Sequence, residues 1–172
     1  LPPSPLPNAR RACGHCCSPQ AHPAIAERDF VFASWVWNMF DFVSDMREEG
    51  DSIDLNTKGL VSFDRKTRKD AFYYYKAAWN PQQSIQLAGK RYVDRAYGVM
   101  DVKAYTNAKT ASLAINGAAI GTVDCPNFTC EWKGVKLAPG ANRAEVRSGD
   151  LADTTVWNGP DSWAQSAARR RI

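Results

Sequence analysis

The stretch Ala111-Ser112-Leu113-Ala114-Ile115-Asn116-Gly117-Ala118-Ala119-Ile120-Gly121-Thr122-Val123 decides the fold class. Two alternating runs flank Asn116-Gly117, a dipeptide that accepts positive φ at both central positions of a two-residue turn, so the segment reads as a β-hairpin. Outward from it the same period of two recurs. Ser84–Ala88, Val99–Tyr105, Phe128–Leu137, Ala144–Arg147 and Thr154–Trp157 also read as short strands, with turn chemistry at Pro139-Gly140 and Ser148-Gly149-Asp150. About seven short antiparallel strands in ~75 residues is the pattern of an immunoglobulin-like sandwich. This assigns residues 81–158 to one mainly β domain.

Upstream the chemistry changes. Thr67 to Trp79 reads as a helix, with Ala71, Tyr74, Tyr75 and Ala78 on one face and Asn80-Pro81 as its stop. Asp41 to Asn56 is polar and reads as a loop. Phe30-Val31-Phe32-Ala33-Ser34-Trp35-Val36-Trp37-Asn38-Met39-Phe40 is nearly continuous apolar sequence, suited to a strand buried on both faces. Residues 1–24 are rich in Pro, Arg and Cys and read as a disordered or foreign leader, with Pro23 to Arg28 suited to a short helix. The tail, residues 159–172, shows no packing pattern.

Composition excludes several function classes. The 172 residues are 44% hydrophobic, as in globular proteins. The net charge of +4 owes five arginines to Arg10-Arg11 and Arg169-Arg170-Arg171, and the remainder is slightly negative, so no nucleic-acid partner is expected. No run of ~18 apolar residues is present, so no membrane span is expected. The first residues have no signal-peptide pattern. The Cys13-Gly14-His15-Cys16-Cys17 clump lacks a second ligand pair, so neither metal nor cofactor is expected. Cys125 and Cys130 suit a disulfide if the chain is exported.

Trp35-Val36-Trp37-Asn38-Met39-Phe40-Asp41-Phe42 resembles the last barrel strand of family 2 glycoside hydrolases. The resemblance runs on through Arg47-Glu48-Glu49-Gly50-Asp51, Asn56-Thr57-Lys58-Gly59-Leu60-Val61, Asp64-Arg65-Lys66 and Lys69-Asp70-Ala71-Phe72-Tyr73-Tyr74-Tyr75-Lys76-Ala77. Val102-Lys103-Ala104-Tyr105-Thr106-Asn107 and Leu113-Ala114-Ile115-Asn116-Gly117 are similar to the immunoglobulin-like domain that follows the barrel in the β-galactosidase branch. The resemblance implies that residues 25–80 form the last β/α unit of an incomplete (β/α)₈ TIM barrel. It also implies a retaining mechanism, with two glutamates about 5 Å apart. Those glutamates follow the fourth and seventh barrel strands in the family, so no catalytic residue is assigned within this chain. The chain by itself is expected to be inactive.

The resemblance places Trp37 at the C-terminal end of that strand, where barrel active sites sit and an indole face can pack on a sugar ring. Trp35, two residues earlier, shares its face by the period-two rule. Core filling is the competing role for both. Asn56 and Lys58 form an Asn-x-Lys pair like one that recognises the sugar carboxylate in family 2 glucuronidases, where an ammonium and an amide bracket the charge. The competing role is a solvated lysine beside a turn glycine. Asp41, Asp45, Glu48 and Glu49 crowd one loop and read as caps and ion pairs with Arg47 or Arg65, not as a catalytic pair. His15 and His22 fall in the leader and are not credible bases.

The expected function is thus the C-terminal part of a β-galactosidase-like hydrolase acting on a β-galactoside or related carbohydrate. A periplasmic or extracellular parent fits, and the oligomeric state is open. A second reading makes the sandwich a carbohydrate- or protein-docking module, with Trp132 and Tyr105 as candidate exposed aromatics. A third, prompted by composition changes near Ala24 and Pro160, has the two ends translated out of frame. In isolation, the segment from Phe30 to Phe63 is expected to be exposed and adhesive.

Overall fold

The computed structural model describes residues 21–49 and 52–160, without the side chains of residues 46–49 and 52. The expectations for the leader up to residue 20, its Cys-rich clump and the tail from residue 161 lie outside the described residues. The chain divides into two compact units, the first ending at Lys76 and the second beginning at Ala77.

The second unit is the mainly β, immunoglobulin-like sandwich that the alternation demands. Counting β1 and β2 in the first unit, its strands are β3 (Ile85–Leu87), β4 (Val99–Thr106), β5 (Thr110–Ile115), β6 (Ala118–Asp124), β7 (Thr129–Lys136), β8 (Gly140–Ser148) and β9 (Leu151–Gly159). They form two sheets of order β3-β4-β7 and β6-β5-β8-β9. All neighbours are antiparallel. The fourth strand of the sandwich, β6, thus lies beside the third rather than in the sheet of the first two. Asn116 (φ 53) and Gly117 (φ 81) make the β5–β6 turn with both residues left-handed. β9 runs through Gly159, one residue into the expected tail.

Alternation translates directly into a core. Val102, Leu113, Ile115, Trp132, Val135, Val146 and Trp157 are buried between the sheets, while their strand neighbours face outward. Each buried tryptophan removes about 200 Å² from water, an upper-bound transfer gain of about 5 kcal/mol. Trp132 and Tyr105 are both buried, so neither is the exposed aromatic that a sugar-binding sandwich would show. Trp132 stands on the inward side of β7, as its alternation demands, whereas Tyr105 lies on the face of β4 opposite Val102 and Ala104 and is buried there.

Side chains tie the two flanks of the sandwich. On one flank the Trp132 indole donates to the Gly121 carbonyl at 3.0 Å, joining β7 to the edge strand β6. β6 is exposed along most of its length, is kinked where its pairing with β5 shifts at Leu113/Ala114, and has φ +146 at Gly121. Cys125, the residue after β6, and Cys130 of β7 form a disulfide around Pro126–Phe128. On the other flank Asp153 of β9 accepts from the Leu87 amide of β3 at 2.8 Å and from Lys90 Nζ at 2.7 Å.

Asn142, wholly buried on β8, is the polar hub. Its amide nitrogen donates to Ala138 O and Gly140 O, both at 2.8 Å. Its oxygen accepts from the Ala138 amide at 2.9 Å and from Asn116 Nδ2 at 3.1 Å. One side chain therefore closes the Pro139-Gly140 turn and latches the β5–β6 turn. Asn142→Leu strands several buried polar groups, so it should cost about 3 kcal/mol, measured as a lower urea midpoint at unchanged m.

Candidate functional site

The first unit contains the candidate residues. Its strands β1 (Phe42–Glu49) and β2 (Ser52–Asn56) form an antiparallel hairpin where the sequence reads as a polar loop. Charged residues mask the pattern, yet Phe42, Val43 and Ile53 carry β-forming side chains on either side of Gly50-Asp51, a turn dipeptide in sequence terms. The helix α1 (Asp70–Trp79) starts three residues later than its periodicity suggests. Arg68 is still paired antiparallel with Val61, and the Lys69 amide bonds Leu60 O at 2.8 Å, so the chain cannot wind until Asp70. Ala71, Tyr74 and Ala77 form its buried side, with Tyr75 and Ala78 at the margins.

The aromatic run differs from expectation. Residues 31–39 belong to no β-ladder, and Phe30, Phe32, Trp35 and Trp37 are largely exposed, although Asp41, Asn56, Leu60 and Val61 farther along the segment expected to be exposed are buried. A buried parallel strand needs neighbours on both edges, and among the described residues the run meets one only at its end. There Phe40 pairs in parallel with Val61, and the Leu60 and Val61 amides donate to Asn38 O and Met39 O at 3.0 and 2.9 Å. His22 also departs from its expected place: it lies in a helical stretch over residues 21–26, and its ring meets Tyr74 and Tyr75 edge-on at 5.9 and 6.2 Å.

The pairing of Asn38–Asp41 with Leu60–Val61 brings the candidate residues onto adjoining chain segments. Trp37 is 74% exposed and packs its ring edge-on against Phe42 at 6.2 Å. Phe42 in turn pairs with Asn56 in the hairpin register. The Trp37–Asn38 peptide is cis. Trp35 is 83% exposed, with no strand to impose the shared face expected from alternation.

Every backbone step from Asn56 to Leu60 is held. Asn56 is 4% exposed, and its side-chain oxygen accepts from the Lys58 amide at 3.1 Å, an Asx turn that turns the Lys58 side chain to the surface. The Thr57 carbonyl accepts from Lys69 Nζ at 2.6 Å. The Gly59 amide donates to Asp41 Oδ1 at 2.9 Å, and the same oxygen receives Lys69 Nζ at 2.5 Å. Asp41 and Lys69 are both buried. The expected arginine partner of Asp41 is thus replaced by a lysine from the start of the helix. Arg65 instead donates to the Asp41 main-chain carbonyl at 3.3 Å and lies 4.1 Å over the Phe40 ring. Lys69 carries no sequence signal for this role, because a pair 28 residues apart has no local period.

Asp41 is committed to structure, Asp45 is exposed, and the side chains of Glu48 and Glu49 lie outside the described ones. Among the described residues no group of three His, Cys, Asp or Glu could hold a metal ion, and no helix is long and apolar enough to cross a membrane.

A Cβ on Gly59 would stand 2.2 Å from the Asp41 nitrogen and 2.3 Å from the Phe40 carbonyl carbon. Gly59→Ala should therefore displace the strand and cost about 1–3 kcal/mol, read as an earlier near-UV circular dichroism melt. Burial, with Tyr75 adding, pushes the Tyr74 phenol up to about 12 from 10.0. A raised folded pKa gives stability that is intact below pH 10.0 and lost as the pH climbs toward 12. The unfolding midpoint should fall across that window, and Tyr74→Phe should flatten the fall.

No family model matches the chain. A curated β-glucuronidase of Bacteroides fragilis is 50% identical over 124 residues, 71% of this chain and 18% of that protein. The crystal structure of the FMN-binding β-glucuronidase from Faecalibacterium prausnitzii L2-6 matches with a TM-score of 0.79 at 35% identity, covering 84% of this chain and 22% of that one. A Bacteroides fragilis structure provisionally described as a β-galactosidase matches with a TM-score of 0.70 at 32% identity, over 76% of this chain and 20% of that one. The chain spans about a fifth of the length of the relatives it matches. Its relatives are glycoside hydrolases, of β-glucuronidase and β-galactosidase-like kinds.

Proposed function

We propose that this chain is a C-terminal part of a retaining glycoside hydrolase whose substrate is a β-glucuronide. The observation that carries the reading is the Asn56–Lys58 turn: a buried asparagine and an exposed lysine, on a backbone held at every step. Such a pair suits a carboxylate, since an ammonium supplies charge-assisted donors and an amide adds a neutral one. The 50% identity to a β-glucuronidase supports the same sugar.

In this reading Lys58 and Asn56 receive the sugar carboxylate, and Trp37 offers its indole face to the apolar side of the ring. Trp35 contacts more distant parts of the substrate. The acid and the nucleophile come from other parts of the protein, since Asp41 is tied up with Lys69. The β-galactoside expected from sequence has one observation in its favour, the provisionally described β-galactosidase at 32% identity. A galactose has no carboxylate for Lys58 to meet.

A chimera separates the two sugars. The 124 matched residues are exchanged into the Bacteroides fragilis β-glucuronidase, and nitrophenyl β-glucuronide and β-galactoside are assayed. The chimera should hydrolyse the glucuronide, and Lys58→Ala should raise its KM about 10–100-fold, the loss of one charged hydrogen bond. Hydrolysis of the galactoside alone, or indifference of the glucuronide KM to Lys58→Ala, would sink the reading. The 172-residue chain alone should turn over neither.

A further inference from the structure

We propose that the buried Asp41–Lys69 ion pair determines which sugar this site accepts, by fixing the turn that presents the Lys58 ammonium. The proposal rests on the glucuronide reading above. Neither residue is placed to touch a sugar; both are positioning residues.

The argument begins with cost. Burying two charges sacrifices hydration that their mutual attraction seldom restores, and an apolar pair of similar volume holds a helix to a strand at least as well. An ion pair here therefore needs a task that an apolar pair cannot perform. The geometry supplies one: the charges are shared with loop backbone. Lys69 Nζ divides itself between Asp41 Oδ1 at 2.5 Å and the Thr57 carbonyl at 2.6 Å. Asp41 Oδ1 divides itself between that ammonium and the Gly59 amide at 2.9 Å. The two backbone groups bound are those on either side of Lys58.

With Asn56 Oδ1 on the Lys58 amide, three successive residues of the turn are each anchored by a side chain. Hydrophobic packing could hold α1 against Leu60 and Val61, but it could not set the direction in which Lys58 leaves the backbone. Released from the pair, Thr57 O and Gly59 N would seek water, and the turn would rotate. A misplaced ammonium forfeits a carboxylate contact while leaving untouched a neutral ring stacked on Trp37. Discrimination, rather than turnover in general, is what the pair supplies.

Two arms test this. In the 172-residue chain, Asp41→Asn (which keeps the shape and an acceptor) and Lys69→Met should each speed amide exchange at Lys58 and Gly59 about tenfold or more, the scale of one lost charged bond. Leu113 and Val146 in the sandwich should keep their protection. In the chimera described above, each variant should raise the glucuronide KM about tenfold, leave kcat within about twofold, and leave the galactoside parameters as they were. In a Lys58→Ala background neither should add a further loss, because both act through Lys58. Lys69→Arg, which keeps the charge, should restore part of the glucuronide preference.

Unchanged exchange at Lys58 and Gly59 overturns the proposal and leaves the glucuronide reading standing. Equal losses on both sugars, or losses that add to that of Lys58→Ala, reduce the pair to a fold-stabilising role and overturn it too. A glucuronide KM that is indifferent to Lys58→Ala overturns the glucuronide reading, and the proposal with it, even where the exchange arm holds.

Discussion

The Asp41–Lys69 ion pair is the constraint on which the first unit depends. The apolar cluster there is small, with Leu60, Val61 and Ala71 buried and Val36, Phe72 and Tyr75 packed partly against them. Such a cluster cannot by its area alone order a hairpin, a bridge and a helix start. The ion pair adds direction. It links the residue after the Phe40 bridge to the residue before α1, and through Thr57 and Gly59 it captures the chain between them. Gly59 completes the device, since its backbone lies too close to Phe40 and Asp41 for any side chain.

The sandwich is held differently. Its stability is distributed over a continuous core containing two buried tryptophans, and side-chain hydrogen bonds tie its turns and flanks. Asn142 joins two turns, Asp153 joins β3 to β9, and Trp132 joins β7 to β6. The contrast fits the division of labour between the units. A broad apolar core tolerates small changes anywhere, whereas a pinned turn has a position to keep.

How much could be read in advance follows from range. The seven sandwich strands were legible because alternation and turn chemistry are local, and Asn116-Gly117 needs only its neighbours to form a hairpin. The helix was legible, but its first turn was not, since the Val61–Arg68 pairing competes for those residues. Hairpin β1–β2 was hidden by charge that suits a solvated strand as well as a loop. The aromatic run around Trp35 and Trp37 shows another limit: hydrophobicity records what a segment would gain by burial, not whether a partner lies beside it. Asn56 and Lys58 were legible as a pair. The separate jobs, one residue shaping the turn and the other facing outward, emerge only with the hydrogen bonds.

Strand β6 has a further consequence, for how the chain behaves in company. It is an edge strand of mostly small and apolar residues, with its first charge at Asp124, the kind of border that invites an extended segment from another molecule to join the sheet. The indole of Trp132 already occupies the Gly121 carbonyl, the register breaks at Leu113/Ala114, and the backbone at Gly121 departs from a regular strand. An incoming strand would find no straight row of free donors and acceptors. The border thus resists amyloid-like stacking without spending a lysine or a proline on it.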